Sequence, residues 1–293
     1  MAQTPSNHPM VAIGGLGGSG TRLLAATVQA AGIDLGARLN PALDNLWFTV
    51  LFKRAAWSRE NPALPEVAVA VDLFLRAITG GLRGTLRPDE GALLSRLRAD
   101  LPPHGTWRCG ATASDADTLM DSPAPPGAPT RPWGWKEPNT HVFLRPLASR
   151  FPGLRYIHVV RGGLDMAFSA NTWQARHWGH LYGLTRAAGA PLPVHQLRYW
   201  TAANRAAMEF GAAHMQGRFL VIPYEDYCAR PDWHWPRMRD FLGLPATMAL
   251  PDDLVRPTSI GRSQAHELAG FPPDVLSAAR DLQAEVSGFH APD

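Results

Sequence analysis

Residues 11–25 read VAIGGLGGSGTRLLA. A short apolar run, Val11–Ile13, meets five glycines in seven positions, then Ser19, Thr21 and Arg22, then a helical pattern that continues to about Ala31 and stops at Gly32. The pattern predicts a strand, a turn whose backbone N–H groups point inward, and a helix N-terminus over Gly20–Ala31. Glycine lets main chain approach a ligand closely, and the start of a helix adds positive dipole. Ser19 and Thr21 offer hydroxyls, and Arg22 a planar fork that matches phosphate or sulfate oxygens. The expected guest is an anion, the phosphate end of a nucleotide.

Working outward, the chain alternates apolar strand-like runs with helical stretches. Ile33–Leu39 reads as a short second strand or extended turn, and Asp44–Phe52, Pro65–Thr79 and Arg87–Leu101 as helices. Prolines crowd residues 102–132, which reads as a long loop or lid. Trp133–Lys136, Leu154–Val160 and Arg218–Pro223 follow as strands. Thr140–Phe151, Leu164–Thr172, His195–Met215, Pro231–Leu242 and Pro272–Gly288 follow as helices, with a loop over 173–194. Strands separated by helices predict one parallel sheet covered on both faces, a three-layer α/β/α sandwich forming a single domain over 1–293. The 293 residues are 45% hydrophobic and 18% charged, with a formal charge of +3, enough for a real core and too mild to suggest a nucleic-acid partner. Cys109 and Cys228 are the only cysteines, so a reducing, cytoplasmic setting is expected rather than a disulfide framework. Neither a signal peptide nor an apolar run of about 18–20 residues is visible.

Three further segments carry chemistry. Residues 161–171, RGGLDMAFSAN, follow the strand ending at Val160. Arg161 therefore stands where open α/β sheets take ligands. Ser169, expected on the next helix, can converge with it on one phosphate; the plainer reading is an arginine capping its own sheet. Residues 133–141, WGWKEPNTH, put Lys136 at a strand end, where its ammonium can neutralise a departing phosphate oxygen; the plainer reading is a surface pair of Lys136 with Glu137. Residues 224–227, YEDY, read as structural, with Glu225 holding a loop or a basic residue. Gly15-x-Gly17-x-x-Gly20 also matches the dinucleotide fingerprint. However, the following stretch GIDLGARLN has no acid in the ribose position, and no Gly-Lys-Ser/Thr completes a Walker loop.

Taken in order and spacing, these segments resemble the sulfotransferase family that uses 3′-phosphoadenosine 5′-phosphosulfate. Gly17-Gly18-Ser19-Gly20-Thr21-Arg22 looks like the family's 5′-phosphosulfate loop, with Gly18 where many members carry a basic residue. Arg161 to Ser169 looks like its 3′-phosphate motif. Trp135-Lys136-Glu137-Pro138 is similar to a segment of the carbohydrate and tyrosylprotein branches whose lysine assists transfer. Val221–Asp226 resembles the late strand and its acidic turn, and Thr258–Arg262 a C-terminal element that closes over the nucleotide. The resemblance implies a P-loop-like sulfotransferase fold and a nucleotide held by Gly17, Gly18, Ser19, Gly20, Thr21, Arg22, Arg161, Ser169, Tyr224 and Arg262. It further implies sulfuryl transfer without a metal, with Lys136 and Arg22 sharing the charge on the leaving group.

An acceptor hydroxyl also needs a base. The related tyrosylprotein enzymes carry an acid shortly after the second strand, and the nearest here is Asp44, whose plainer reading is a helix-start residue. His141, His177 and His180 are rivals for the role. Trp173, His177, Trp178, His180 and Tyr182 are candidates to shape a pocket for a small-molecule or glycan acceptor. Two alternatives stay open at this point: an NAD(P)-dependent oxidoreductase, and a non-catalytic nucleotide-binding protein on the same scaffold.

Overall fold

The computed structural model of the chain describes residues 9–36, 38–53, 65–79, 81–99, 119, 132–251 and 260–288. The expected lid over 102–132 lies outside them apart from Leu119 and Pro132, as do Thr258 and Ser259. From the amino end run β1 (Met10–Gly15), α1 (Thr21–Ala30), α2 (Leu46–Phe52), α3 (Pro65–Thr79), α4 (Pro88–Ala99) and β2 (Trp133–Lys136). A 3-10 turn over Pro138–Phe143 leads into α5 (Leu144–Arg150), β3 (Arg155–Val160), α6 (Gly163–Ala167) and α7 (Trp173–Trp178). The chain continues through α8 (Leu192–His214), β4 (Phe219–Pro223), α9 (Tyr224–Ala229), α10 (Pro231–Leu242) and α11 (Pro273–Gly288).

The four strands form one parallel sheet in the order β2-β1-β3-β4. Their period-two alternation feeds two separate cores. Val11, Ile13, Ile157, Val159, Leu220 and Ile222 pack with α1 and α10 on one face. Ala12, Trp135, Tyr156, Val160 and Val221 pack with the larger helical layer on the other. Burial on both faces is why these strands read as near-continuous apolar runs. Register then brings their carboxyl ends level: Ile13 pairs with Lys136, Gly15 with Val159, and Val160 with Pro223.

Helix α2 is fixed on β2 by aromatic packing. Phe48 meets Phe74 edge-on at 5.5 Å and lies 6.5 Å from Trp135, and Phe52 lies 5.2 Å from Phe143. Truncating one such buried ring typically costs about 3–5 kcal/mol. This packing matters for the site because Asp44 and Lys53 flank the two ends of α2.

Several boundaries differ from the sequence reading. Of the two readings of Ile33–Leu39, its described residues show the extended turn: Asp34 and Leu39 make isolated bridges to Trp133 and Asn45, and Asp34 Oδ1 accepts from Gly36 N–H. The dinucleotide alternative thereby loses its second strand. Thr140–Phe151 divides into a 3-10 turn and α5, because Glu137 caps the turn by accepting from Asn139 N–H at 2.5 Å. The helix expected to reach Thr172 ends at Ala167, so Ser169 sits in a loop. The loop expected over 173–194 contains α7 and a 3-10 turn, and α8 begins at Leu192 with prolines at its first turn.

Candidate functional site

The glycine loop leaves β1 and closes with Ser19 N–H donating to Leu16 O at 2.9 Å. Gly18 and Gly20 take φ values of 100° and 95°, which side chains disfavour. At Gly20 there is a second reason: a Cβ would fall inside the ring of Tyr224, the first residue after β4. Helix α1 starts with no side-chain cap and no acid in its first turn, so its positive end faces the cleft undiminished. The Ser19 hydroxyl is buried with no hydrogen-bond partner among the described residues. An orphaned hydroxyl beneath a glycine cradle fits a phosphate or sulfate oxygen. Gly17 N–H is already committed, donating to Gln174 Oε1 at 2.8 Å.

Arg161 follows β3 directly and is 4% exposed. Its guanidinium lies 5.4 Å from the Tyr224 ring centre, reaches Gly18 O at 3.4 Å and donates to Asp165 Oδ2 at 3.2 Å. Glu225 Oε1 stands 3.9 Å from Arg161 Nε and accepts from Gly162 N–H at 2.9 Å, which bears out a holding role for Glu225. Burial pushes the Glu225 carboxyl above its ordinary range. Burial also raises the Asp165 carboxyl, but donors from Ser263, Gly261 and Arg161 outweigh it and hold the group at about 2. Ser169 lies beside Gly18, and its Oγ accepts from Asn171 N–H at 3.2 Å.

Across the cleft, Lys136 ends β2. Its Nζ makes a short hydrogen bond to Asp44 and a second to Ala42 O at 3.0 Å. Asp44 is not the helix-start residue: Asn45 caps α2, accepting from Phe48 N–H at 3.2 Å. Asn40 shapes the turn that presents Asp44, accepting from Ala42 and Asp44 N–H and donating to Asp44 Oδ2 at 3.0 Å. The surface pair of Lys136 with Glu137 is likewise replaced. Both are buried, and Glu137, just past the end of β2, turns to cap the 3-10 turn, bonding Asn139 and standing 4.0 Å from Lys53. Burial lowers the Lys53 ammonium to about 8, although Glu137 and Asp44 oppose the shift. Lys53 also stands 4.5 Å over the Trp173 ring.

These groups line one cleft of about 580 Å³. It gathers Gly17, Gly18, Gly20, Thr21 and Arg22 from the loop, Asp44 and Lys136 from the β2 side, and Arg161, Ser169, Tyr224 and Arg262 from the far side. Ser19 sits just beneath the lining, 1% exposed. Among the described lining residues, the cations Arg22, Lys53, Lys136, Arg161 and Arg262 outnumber the carboxylates Asp44 and Glu137. Such an excess in a walled cleft draws anions.

The aromatic group does not gather as one acceptor pocket. Trp173 lines the cleft, with His177 stacked on it at 4.3 Å. Trp178 is fully buried and donates to Asn139 Oδ1 at 2.8 Å. His180 lines a different pocket, and Tyr182 packs on Tyr199. His141 lies under the sheet end, where burial lowers it to about 4. Sequence reading missed Lys53, Asn139, Asn171, Gln174 and Asp165. A lysine closing the apolar helix LWFTVLF was the one available signal. Among the described residues no group of three His, Cys, Asp or Glu gathers as a metal would need, and no helix is long and apolar enough to cross a membrane.

No curated protein sequence matches the chain. Three solved structures illustrate its likenesses. A sulfotransferase domain from the Synechococcus PCC 7002 olefin synthase has 15% identity and a TM-score of 0.45, covering 96% of this chain and 98% of that one. A sulfotransferase from Mycobacterium tuberculosis H37Rv has 14% identity and a TM-score of 0.43, covering 94% and 77%. One from Alicyclobacillus acidocaldarius has 15% identity and a TM-score of 0.42, covering 96% and 92%. The sequence profile of the sulfotransferase family matches residues 9–248. With that match spanning most of its length, the chain belongs to the sulfotransferase family.

Proposed function

We propose that the protein transfers a sulfuryl group from 3′-phosphoadenosine 5′-phosphosulfate to a hydroxyl or amine of a small-molecule or glycan acceptor, as a single cytoplasmic domain. The observation that carries this reading is the convergence of four strand ends. The glycine loop after β1, Lys136 at the end of β2, Arg161 after β3 and Tyr224 after β4 border one cationic cleft.

In this reading the donor supplies an activated sulfuryl group on a phosphate leaving group. Backbone N–H groups of Gly18, Gly20 and Thr21, the Ser19 hydroxyl and Arg22 hold the 5′ end. Arg161, Ser169 and Arg262 hold the 3′-phosphate, and Tyr224 borders the nucleoside. Asp44 accepts the acceptor's proton as the new O–S bond forms and the S–O bond to phosphate breaks. Lys136 turns from Asp44 to the departing phosphate oxygen, so the charge released at one end of the pair is matched at the other. Holding donor and acceptor in line is the larger part of the rate gain. The cation excess supports this division, and no step in it requires a metal.

A calorimetric titration tests the donor class: adenosine 3′,5′-bisphosphate binds and NADPH does not. Transfer of labelled sulfate to a panel of hydroxyl acceptors tests the chemistry. Binding of NADPH in preference to the bisphosphate overturns the proposal, and bisphosphate binding without transfer to any acceptor leaves the non-catalytic reading in its place.

A further inference from the structure

Asp165 lies on the five-residue helix α6, four residues beyond Arg161, and its side chain is 7% exposed. Nothing in the transfer chemistry above uses it, yet its carboxylate, just behind the cleft wall, accepts four hydrogen bonds. Oδ2 accepts from Arg161 Nη2 at 3.2 Å and from Gly261 N–H at 2.8 Å. Oδ1 accepts from Ser263 N–H at 2.9 Å and from the Ser263 hydroxyl at 2.8 Å. The main-chain carbonyl of Asp165 accepts from Arg262 Nη1 at 3.3 Å. One residue therefore grips both cleft arginines that come from outside the glycine loop, and these are 101 positions apart.

The chain around Gly261 is built to receive that carboxylate. Gly261 has φ 85° and opens the 3-10 turn Arg262–Ala265. The first N–H groups of such a turn lack partners within it, and Asp165 supplies them. Charge-assisted bonds of this kind are shorter and stronger than neutral ones. His266, stacked on Phe168 at 4.0 Å, is a second anchor for the same segment, but an aromatic contact does not orient Arg262.

We propose that Asp165 is a positioning residue that sets Arg161 and Arg262 as a single anion clamp, latching residues 260–265 against the cleft so that the 3′-phosphate of the nucleotide is recognised by both arginines together. The inference rests on the nucleotide assignment above and deepens it. A phosphate entering between the arginines meets two guanidiniums already held at one residue, Arg161 by the Asp165 carboxylate and Arg262 by its main-chain carbonyl, in a segment that the carboxylate itself latches through Gly261 and Ser263, so less ordering accompanies binding. Loss of the latch therefore harms recognition of the 3′-phosphate and spares the 5′ end, which the glycine loop holds by itself.

The test is a titration of the full chain and its Asp165→Asn, Asp165→Ala and Ser263→Ala variants with adenosine 3′,5′-bisphosphate and with 5′-AMP. The wild-type protein prefers the bisphosphate. Asp165→Asn and Asp165→Ala should weaken bisphosphate binding roughly 10–100-fold while shifting 5′-AMP binding less than about twofold. Ser263→Ala, which removes one latch hydroxyl and leaves the charge, should give a loss of roughly threefold in the bisphosphate alone. In parallel, trypsin should cleave after Arg262 faster in the Asp165 variants, and the bisphosphate should protect that bond only in the wild type. If the wild-type protein does not distinguish the two nucleotides, the nucleotide assignment fails and takes the latch with it. If it does and the variants keep its preference, or lose both ligands equally, the latch alone is overturned. Should the Asp165 variants fail to fold, Ser263→Ala decides by the same ratio.

Discussion

Removing either member of the Lys136–Asp44 pair should be costly, and removing both should be much less so. Their side chains are 2% and 7% exposed, so each charge left alone is stranded in low dielectric. Breaking a buried pair from one side costs about 3–5 kcal/mol, because the remaining charge has lost its compensation. For a chain of 293 residues, an unfolding entropy of about 2.1 cal/mol/K per residue gives about 0.6 kcal/mol/K, so that loss lowers Tm by about 5–8 °C. Lys136→Met leaves Asp44 with a hydrogen bond from Asn40, and Asp44→Asn leaves the ammonium with Ala42 O. The double variant carries neither charge and should recover roughly half of the summed loss, a coupling of about 3 kcal/mol or more. Thermal and urea melts of the four proteins at pH 7 measure it, and added salt should change the coupling little, because both side chains are almost wholly covered in the cleft wall. Additive losses, with coupling under about 0.5 kcal/mol, would show that the two groups do not meet in a dry site, and the paired acid–base role would fall with that result. Activity adds a second axis: Lys136→Ala should depress turnover more than donor affinity, and Asp44→Asn should nearly abolish transfer while nucleotide binding persists.

Arg161→Ala should weaken binding of adenosine 3′,5′-bisphosphate by about 2–4 kcal/mol in a calorimetric titration, as expected for a desolvated guanidinium on phosphate; unchanged affinity removes it from the site. Gly20→Ala should cost about 1–2 kcal/mol for its left-handed backbone and more for displacing the Tyr224 ring, seen as a lower Tm together with weaker nucleotide binding. Acid should destabilise the fold before most carboxylates titrate. Burial lowers His141 to about 4, and burial with the neighbouring His141 lowers His158 to about 3, against 6.5 for a free imidazole. The unfolded chain thus binds more protons below pH 6.5, and stability present above that pH is lost as pH falls toward 4 and then 3. The slope is about 1.4 kcal/mol per pH unit for each ring. Urea melts at pH 7, 6 and 5 read this directly, and a flat profile would place the two rings in contact with water.

How far the site was legible depends on whether its features are local. The glycine loop was readable because unusual φ angles demand glycine at fixed places. Arg161 and Lys136 were readable as site candidates because a strand buried on both faces shows its end in the sequence, and in parallel sheets that end faces the ligand side. The family followed from the order of those pieces. What each buried charge would touch was not readable. Glu137 looked like the natural mate of Lys136, yet it caps the turn after β2, and the ammonium finds a carboxylate 92 residues away. Asp44 read equally as a base and as a helix-start residue, and only the structure gives the cap to Asn45. Asp165 carried no local signal, and its role rests on the segment at 260–265 that packs on it. Composition and periodicity determine which stretches become strands, which turns need glycine and which side chains must be covered. Tertiary structure decides who compensates whom, because desolvation obliges a buried ion to find a partner but leaves its identity to the register and packing of distant segments.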